Sequence, residues 1–373
     1  MEQRRINVLL MPTDSCNLHC KYCFHECFHE SYGRMSKKTL DRIYDITCGK
    51  VEVVQFVWHG GEPLLMGLDF FNYAFAKQKQ YSKARIRNTM QSNITLMTDE
   101  LAEFLVSNHV GIGTSFDGVM NEDLRGYSEE ILSGRQKIID HGGKCGVIMV
   151  LSSRNISSLI ASYEYFKKMN INYSMNLYVS RGDIFDKGFE LDKVTTVQYL
   201  KDFFDTWIND SDCSIHVDFF ERIIRYIASG EKTVCKYTSC IGKWVGIRFD
   251  GTIVPCNRYF SDEYSYGSIW DYDSIFDAFE SPGAIKLISE SIQRRKKCQN
   301  CDAYGICEGG CNNVAYNETG IENNGGSTCV IFHSIYNYVL NYVIKNDFHD
   351  IKNPVARKIF SRRSRHFNEN RQV

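Results

Sequence analysis

Cysteine is the residue type that most constrains what this chain can fold into. The 373 residues include 15 cysteines, and most of them fall into two groups. The first group lies within eight residues near the N-terminus, and the second lies between residues 235 and 329. Grouped cysteines occur as disulfide frameworks in secreted chains or as metal ligands in a reducing compartment. Other features of the sequence decide between these two explanations.

Export and membrane signals are weak in this sequence. The N-terminal apolar run covers only residues 8–11, which is too short for the core of a signal peptide. No apolar stretch approaches the roughly 20 residues of a membrane span. We therefore predict a cytoplasmic chain with no membrane partner, whose grouped cysteines bind metal. Lys and Arg number 44 against 45 Asp and Glu, and this balance argues against nucleic-acid binding.

Strand-like and helix-like segments alternate through the first 230 residues. Six such β-then-α units, about 30 residues apart, predict parallel strands with right-handed crossovers. Eight units would close a full barrel, so six predict an α/β fold with a partial (β/α)6 TIM barrel, open on one side. The predicted strands are Ile6–Met11, Val53–Trp58, Arg87–Ser92, Val110–Phe116, Lys144–Leu151 and Tyr173–Ser180. The predicted helices are Ser36–Gly49, Leu68–Ser82, Thr98–Ser107, Ser128–His141, Asn155–Met169 and Thr195–Asn209, with N-caps at Ser36 and Asn155.

The alternation ends near residue 230, and the following segment is rich in cysteine. An Asp-Gly pair between the apolar runs WVGIRF and TIVPC predicts a β-hairpin with both turn residues at positive φ. Cys329–Lys345 reads as an apolar helix, and the chain from Lys352 is strongly basic, which is typical of a flexible tail. The predicted division is a barrel over 1–230, a cysteine-rich domain over 231–345 and a tail over 346–373.

The first cysteine group has the spacing C-x3-C-x2-C, formed by Cys16, Cys20 and Cys23. Three thiolates on one loop suit a four-iron cluster, which normally takes four cysteines, so one iron would remain open to a small chelating ligand. A zinc site or a redox cysteine pair is the alternative for this spacing. Cys27 follows closely and offers a fourth ligand, although a spectator thiol is the favoured interpretation.

Polar motifs follow three further predicted strands. The second strand ends in His59-Gly60-Gly61-Glu62-Pro63, the third in Gln91-Ser92-Asn93 and the fourth in Ser115-Phe116-Asp117-Gly118. Paired glycines let the backbone approach a ligand closely. Since parallel strands place ligands at their carboxyl ends, these motifs predict one shared ligand site.

These motifs together resemble the radical S-adenosylmethionine superfamily. In that family three cysteines hold a [4Fe–4S] cluster, its open iron chelates S-adenosylmethionine, and reductive cleavage yields a 5′-deoxyadenosyl radical. The resemblance implies cofactor contacts from the aromatic residue before the third cysteine, from the GGEP backbone and from strand-end side chains. Carried onto this sequence, these contacts are Tyr22, Gly60, Gly61, Glu62, Asn93, Ser115, Arg125 and Leu177.

The second cysteine group runs C-x10-G-x4-C, then C-x2-C-x5-C-x3-C, then a final cysteine. Zinc ribbons also use C-x2-C pairs, so zinc is the alternative metal here. The order resembles the SPASM domain of peptide-modifying radical enzymes, and its layout is similar to that of anaerobic sulfatase-maturating enzymes, which carry two auxiliary [4Fe–4S] clusters. That resemblance implies auxiliary cluster I on Cys235, Cys240, Cys256 and Cys311, and auxiliary cluster II on Cys298, Cys301, Cys307 and Cys329. The remaining thiols are expected to fill space: Cys27, Cys48, Cys145 and Cys213.

Two positions depart from the sulfatase-maturating pattern. In those enzymes an Asp follows the second SPASM cysteine and acts as a base, whereas Asn257 stands here, and an amide takes no proton at neutral pH. The residue before GGEP is Gln in at least some of those enzymes and His59 here. His59 is the candidate catalytic base, and the alternative is that its ring is hydrogen-bonded inside the pocket.

The departures favour a maturase that cross-links a ribosomally made peptide through a thioether or carbon–carbon bond. The expected partners are a peptide or protein substrate and an external one-electron donor such as flavodoxin or ferredoxin. The alternatives are a formylglycine-generating sulfatase maturase, a radical enzyme with a non-peptide substrate and a zinc-stapled binding module without activity.

Overall fold

Eight strands form an open, mostly parallel sheet in the computed structural model, which describes residues 5–25, 33–180, 188–232, 240–259 and 261–361. The strands are β1 Arg5–Met11, β2 Val53–Trp58, β3 Arg85–Gln91, β4 Gly111–Ser115, β5 Cys145–Leu151, β6 Tyr173–Leu177, β7 Trp244–Arg248 and β8 Ile253–Val254. This open sheet with helical crossovers confirms the predicted partial barrel.

The helices follow the strands along the chain much as the periodicity predicts. The α-helices are α1 Lys37–Thr47, α2 Leu68–Gln78, α3 Asp99–Ser107, α4 Asn121–Leu124, α5 Ser128–Asp140, α6 Leu159–Lys168, α7 Lys193–Asn209, α8 Asp218–Ser229, α9 Pro282–Cys298, α10 Tyr304–Cys307, α11 Asn312–Glu318, α12 Gly326–Lys345 and α13 Pro354–Ser361. Short 3-10 turns are Pro63–Met66, Gly118–Met120, Ile156–Ser158, Asp262–Tyr264, Asp277–Glu280 and Phe348–Asp350. No helix among the described residues is both long and apolar enough to cross a membrane.

Contacts divide the chain into two compact units. The first contains residues 1–115, 124–145 and 240–289, and the second contains residues 116–123, 146–239 and 290–373. The contacts thus group residues 240–289 with the first strands, although the sequence places them after the barrel. The predicted division of the sequence at residue 230 therefore stays a prediction.

The first unit aligns the carboxyl ends of four parallel strands. Leu10 of β1 lies opposite Trp58 of β2, and Trp58 lies opposite Met90 of β3. The neighbouring residue, Gln91, lies opposite Gly113 of β4. Because these strands are parallel and in register, the loops that follow them emerge at one edge of the sheet.

The predicted hairpin extends this same sheet. β7 pairs in parallel with β1, from Asn7 opposite Trp244 to Met11 opposite Arg248, and β8 returns antiparallel to β7. The hairpin prediction is confirmed, but the predicted turn is wrong in detail. Gly251 has a φ of 92° and its amide donates to the Arg248 carbonyl at 3.0 Å, whereas Asp250 is not left-handed. A type I turn that ends in a left-handed glycine fits this longer loop.

The second unit is a helical assembly around the parallel strands β5 and β6. α12 packs on α7 through aromatic contacts, including Phe204 with Tyr342 at 5.3 Å between ring centroids. α13 packs on α8, and Asn353, which is fully buried, donates to the Trp207 carbonyl at 2.6 Å. The expected flexible tail is therefore wrong for residues 354–361, because an amphipathic helix there buries Ala356 and Phe360.

Two predicted N-caps have different outcomes. The Ser36 hydroxyl accepts from the Thr39 amide at 3.0 Å, which confirms it as the cap of α1. Asn155 does not cap its helix, and its side chain instead accepts from the Ser152 amide and donates to the Val150 carbonyl. The sequence could not separate these roles, because an Asn side chain serves a local turn as readily as a helix terminus.

Candidate functional site

The first cysteine group lies on the loop after β1. Cys20 is buried, and Cys16 and Cys23 are half-buried. Burial, together with the nearby Glu62, Cys23 and Cys20, raises the pKa of Cys16 to about 11. The three thiols therefore lie within electrostatic reach of one another, as ligands of one metal centre must.

Nitrogen donors surround the sulfur atoms of this loop. The Leu18 amide donates to Cys16 Sγ at 3.5 Å, and Asn93 Nδ2 donates to the same sulfur at 3.8 Å. Cys20 Sγ accepts from the Arg125 guanidinium at 3.5 Å. N–H donors stabilise a thiolate, which is the form of cysteine that binds metal, so the donor set fits an iron–sulfur cluster.

The two glycines after β2 let that loop lie directly against the cysteine loop. Gly60 has a φ of 109°, and a Cβ atom on Gly61 would lie 2.1 Å from the Ser15 carbonyl oxygen. The Gly61 amide donates to the Thr13 carbonyl at 3.0 Å, and the Glu62 amide donates to the Ser15 carbonyl at 2.8 Å. Because these amides bond the cysteine loop, carbonyl oxygens are what the loop would offer to a ligand's amino group.

Glu62 links the loops that follow β2 and β3. Its side chain is 1% exposed, and it accepts from the Leu64 amide, the Ser92 hydroxyl and the Asn93 amide at 2.7–2.9 Å. Burial raises the pKa of Glu62 to about 7, although these three donors oppose the shift. The structure therefore gives Glu62 a positioning role, and its predicted contact with an amino group stays a prediction.

The β3 and β4 ends contribute two further polar contacts. Asn93 Nδ2 donates to Asn17 Oδ1 at 2.9 Å, and this ties the end of β3 to the cysteine loop. Gln91 Nε2 donates to the Ser115 hydroxyl at 3.1 Å, so the ends of β3 and β4 are also joined. The motifs that follow β2, β3 and β4 thus belong to one hydrogen-bonded set of loops, and the shared ligand site predicted there stays a prediction.

Tyr22 and Arg125 form a pair beside Cys20. The guanidinium donates to the Tyr22 hydroxyl at 2.6 Å and lies 5.3 Å from the centroid of its ring. Leu177 is the last residue of β6 in the second unit and is half-buried. The proposed contacts of Tyr22, Arg125 and Leu177 with a cofactor stay predictions.

His59 and Asn257 contact each other within the first unit. Asn257 Nδ2 lies 3.4 Å from Nδ1 and 3.3 Å from Nε2 of the imidazole, and Asn257 is only 9% exposed. The Gly60 amide donates to His59 Nδ1 at 2.7 Å. Burial, together with the positive charge of Arg258, lowers the pKa of His59 to about 4. The imidazole is therefore neutral at pH 7, with the Nδ1 lone pair engaged by the backbone.

The structure brings four thiols of the second cysteine group together. Burial raises the pKa of Cys329 to about 11, with Cys307, Cys298 and Cys301 all adding to the shift. These four thiols come from the end of α9, the following turn, α10 and the first turn of α12. They are the four proposed ligands of auxiliary cluster II.

The other proposed auxiliary site is only partly described. Burial raises the pKa of Tyr266, and Cys240 and Cys256 both contribute, so these two thiols lie near the same ring in the first unit. Cys311 belongs to the second unit, and Cys235 lies outside the described residues, as does Cys27. The ligand set of auxiliary cluster I therefore stays a prediction.

Three cysteines expected to fill space are buried. Cys48 is 2% exposed, Cys213 is 3% exposed and Cys145 is 6% exposed. Burial also raises the pKa of Cys48 and Cys145 to about 12, which is typical of inert structural thiols.

Sequence reasoning missed the polar group beside Cys301. The Cys301 sulfur lies 3.7 Å from Asp302 Oδ1. The same oxygen is hydrogen-bonded to His333 Nε2 at 2.6 Å, and Asp302 Oδ2 accepts from the Asn337 side chain at 2.9 Å. Cys301, Asp302 and His333 offer ligand atoms within 4.8 Å of one another. The signal was present, because Asp302 follows a motif cysteine and His333 lies one helical turn after Cys329.

Two family models match the chain. The radical SAM superfamily model matches residues 10–166, which contain the first cysteine group and the loops joined to it. The SPASM model, described as an iron–sulfur cluster-binding domain, matches residues 235–302. Both matches agree with the resemblances argued from the motifs.

Curated relatives share most of their length with this chain. A cysteine-type anaerobic sulfatase-maturating enzyme of Clostridium perfringens (strain 13 / Type A) is 26% identical over 332 residues, covering 82% of this chain and 88% of the relative. A serine-type anaerobic sulfatase-maturating enzyme of Bacteroides thetaiotaomicron is 24% identical over 353 residues, covering 84% of each.

Solved structures share the fold. Native anSMEcpe with bound AdoMet matches with a TM-score of 0.83 at 23% identity, covering 95% of this chain and all of that one. Streptococcus suis SuiB bound to precursor peptide SuiA matches with a TM-score of 0.63 at 18% identity, covering 88% of this chain and 76% of that one. Together, the motifs, the thiol geometry and both family models identify the chain as a radical S-adenosylmethionine enzyme with a SPASM domain, whose cofactors are [4Fe–4S] clusters and S-adenosylmethionine.

Proposed function

We propose that this enzyme is a peptide maturase that installs a thioether or carbon–carbon cross-link in a ribosomally made peptide. The relatives named above modify sulfatases, and one structural neighbour binds a precursor peptide, so a peptide substrate is the common feature. The observation that carries the cross-linking proposal is the neutral contact between His59 and Asn257. In the sulfatase-maturating pattern a carboxylate base follows the second SPASM cysteine, and here that position holds an amide.

His59 does not replace that base in this arrangement. A general base needs an accessible lone pair and a pKa near the working pH. The Nδ1 lone pair of His59 accepts from Gly60, and the pKa of the ring is lowered to about 4. We therefore assign His59 a positioning role, in which its neutral ring and Asn257 offer hydrogen bonds to an uncharged group such as a peptide carbonyl or amide.

The residues around the cysteine loop would hold the cofactors. Cys16, Cys20 and Cys23 would bind the first cluster as thiolates, and the carbonyls near Gly60 and Gly61 would accept from the amino group of S-adenosylmethionine. When bound, these cofactors supply the electron and the organic radical that removes a hydrogen atom from the substrate. Glu62 and Asn93 keep the three loops in register by bonding one another and the cysteine loop.

The second cysteine group fits an electron-accepting role. Forming a cross-link removes two hydrogens from the peptide, one as a hydrogen atom and one as a proton, so one electron remains and must go to an acceptor. Bound clusters of the SPASM domain would be suited to take it. The first cluster requires reduction before each turnover, so the proposed partner is a one-electron donor such as flavodoxin or ferredoxin.

Co-expression with a candidate precursor peptide, followed by mass spectrometry, tests the proposal. A short open reading frame found beside the gene would supply that peptide. A cross-link gives a loss of two hydrogens, and the matched variant with alanine at Cys16, Cys20 and Cys23 leaves the mass unchanged. An unchanged mass with the intact enzyme would contradict the proposal.

Sulfatase maturation is the second candidate, and the names of the curated relatives favour it. Incubation with sulfatase-derived peptides that carry either cysteine or serine at the modified position separates the two. An aldehyde product trapped by a hydrazide probe supports this candidate. No aldehyde with either peptide, together with a two-hydrogen loss from the neighbouring precursor, supports cross-linking.

A further inference from the structure

We propose that Arg125 is a positioning residue of the first iron–sulfur site, which raises the reduction potential of the cluster through Cys20 and fixes the ring of Tyr22. The proposal rests on the assignment of the first cysteine group to a cluster. It adds to the predicted cofactor contact of Arg125 a role that does not require S-adenosylmethionine to be bound.

Arg125 contacts Cys20 and Tyr22, which lie on either side of Lys21 in the cysteine loop. One guanidinium nitrogen lies 3.5 Å from Cys20 Sγ, and the other lies 2.6 Å from the Tyr22 hydroxyl. Both partners are 7% exposed, whereas Arg125 is half-buried. A planar guanidinium can make both contacts at once because its N–H groups diverge in one fixed plane, which a flexible ammonium cannot reproduce.

The backbone places Arg125 independently of its side chain. The Lys21 amide, between Cys20 and Tyr22, donates to the Leu124 carbonyl at 2.9 Å, so the residue before Arg125 is anchored to the cysteine loop. The next two residues, Gly126 and Tyr127, have φ values of 75° and 58°. A left-handed conformation is unfavourable for a non-glycine residue such as Tyr127, so the backbone is strained where the chain turns from α4 into α5.

The electrostatic consequence follows from the charge of the cluster. One-electron reduction makes the cluster and its thiolates more negative by one unit. A nearby cation that donates a hydrogen bond to a ligand sulfur stabilises the reduced form more than the oxidised form. Arg125 therefore makes the cluster easier to reduce, and the same side chain holds the Tyr22 ring in one orientation.

The test is a redox titration of the reconstituted enzyme without S-adenosylmethionine, followed by electron paramagnetic resonance. The variant with alanine at all three loop cysteines identifies which signal belongs to the first cluster. We expect Arg125→Gln to shift that midpoint potential to a more negative value. Arg125→Lys should recover part of the shift, because it keeps the charge, and Tyr22→Phe should leave the potential close to that of the wild type.

The outcomes separate this proposal from the proposed function. A potential in Arg125→Gln equal to that of the wild type, with a full cluster, overturns the proposal. If Arg125→Gln fails to take up iron, the midpoint potential of Arg125→Lys is compared with that of another neutral substitution, Arg125→Met. A potential of Arg125→Lys at least as negative as that of Arg125→Met would contradict the charge argument. A wild-type enzyme without the signal of the first cluster would instead contradict the assignment of the loop cysteines.

Discussion

The two cysteine groups differ in how the chain presents their thiols. Cys16, Cys20 and Cys23 occupy eight residues of one loop at the carboxyl edge of the sheet. The four thiols from Cys298 to Cys329 come from separate segments spread over 32 residues, mostly at helix ends. A site built on one loop can lose its metal while the sheet persists, whereas a site that joins several segments contributes directly to their folding.

The hydrogen-bonding neighbours of the sulfur atoms also differ between the two cysteine groups. In the first group the contacts come from N–H donors, namely Leu18, Asn93 and Arg125. In the second group Cys298 lies 3.4 Å from the Asn324 side-chain oxygen and Cys301 lies near Asp302, contacts that only a protonated thiol can donate. The N–H donors of the first loop therefore suit thiolates bound to a metal, although burial keeps the unbound Cys16 protonated. In the second group the contacts of Cys298 and Cys301 would be lost when these thiols bind metal as thiolates.

The largest expected effect tests the reactive role of the first group. Alanine at Cys16, Cys20 and Cys23 should abolish reductive cleavage of S-adenosylmethionine and lower the iron content from about twelve to about eight atoms per chain. The measurement is 5′-deoxyadenosine formation together with iron analysis. Cys145→Ala, a buried thiol in the same unit, is the control and should retain both. Persistent cleavage in the triple variant would contradict the assignment.

The next effect tests the structural role of the second group. Cys307→Ala should lower the free energy of unfolding by about 3 kcal/mol or more, and Tm by roughly 5–10 °C, because its cluster joins several segments. Cys213→Ala, a buried thiol of the same unit, should cost only about 1 kcal/mol. Equal melting of the two variants would show that the second group does not stabilise the fold.

A pH profile tests the surroundings of the first group. His59 has a pKa lowered to about 4 in the folded chain against 6.5 for the free side chain, so the unfolded state binds its proton more readily. Its contribution to stability is fully present above about pH 6.5 and is lost as the pH falls towards 4. We expect His59→Gln to weaken that acid destabilisation, measured as Tm against pH.

The pH dependence of turnover should also show that the His59 imidazole is neutral. Between pH 6 and 8, His59→Gln should change the rate without changing the shape of the pH profile. Asn257→Asp, which introduces a carboxyl group beside the ring, is the informative comparison and should alter the profile. A limb near pH 6.5 that disappears in His59→Gln would restore His59 as a general base.

The smallest expected effects come from removing one side-chain amide beside each cysteine group. Asn93→Ala removes donors to Cys16 and Asn17 and should cost about 1 kcal/mol of stability in the holoenzyme. Asn324→Ala should cost almost nothing once metal is bound, because a ligating thiolate cannot donate to its exposed oxygen. A larger loss in Asn324→Ala, measured by chemical denaturation, would reverse the comparison between the two groups.

The sequence by itself determined the cofactor chemistry and the order of the elements. Cysteine spacing and strand-end motifs are local, and hydrophobic periodicity reports which face of each segment is buried, so strand β2 was predicted with its observed bounds. The Ser36 cap was predictable for the same reason, since its hydrogen bond reaches only three residues along the chain.

Only the tertiary structure decided which distant residues meet. The pairing of β1 with β7 joins residues more than 230 positions apart, and no local pattern specifies it. The contact of His59 with Asn257 and that of Arg125 with Cys20 are equally non-local. Sequence patterns name the residues capable of chemistry, but burial and long-range hydrogen bonds set the charge state and orientation in which they act.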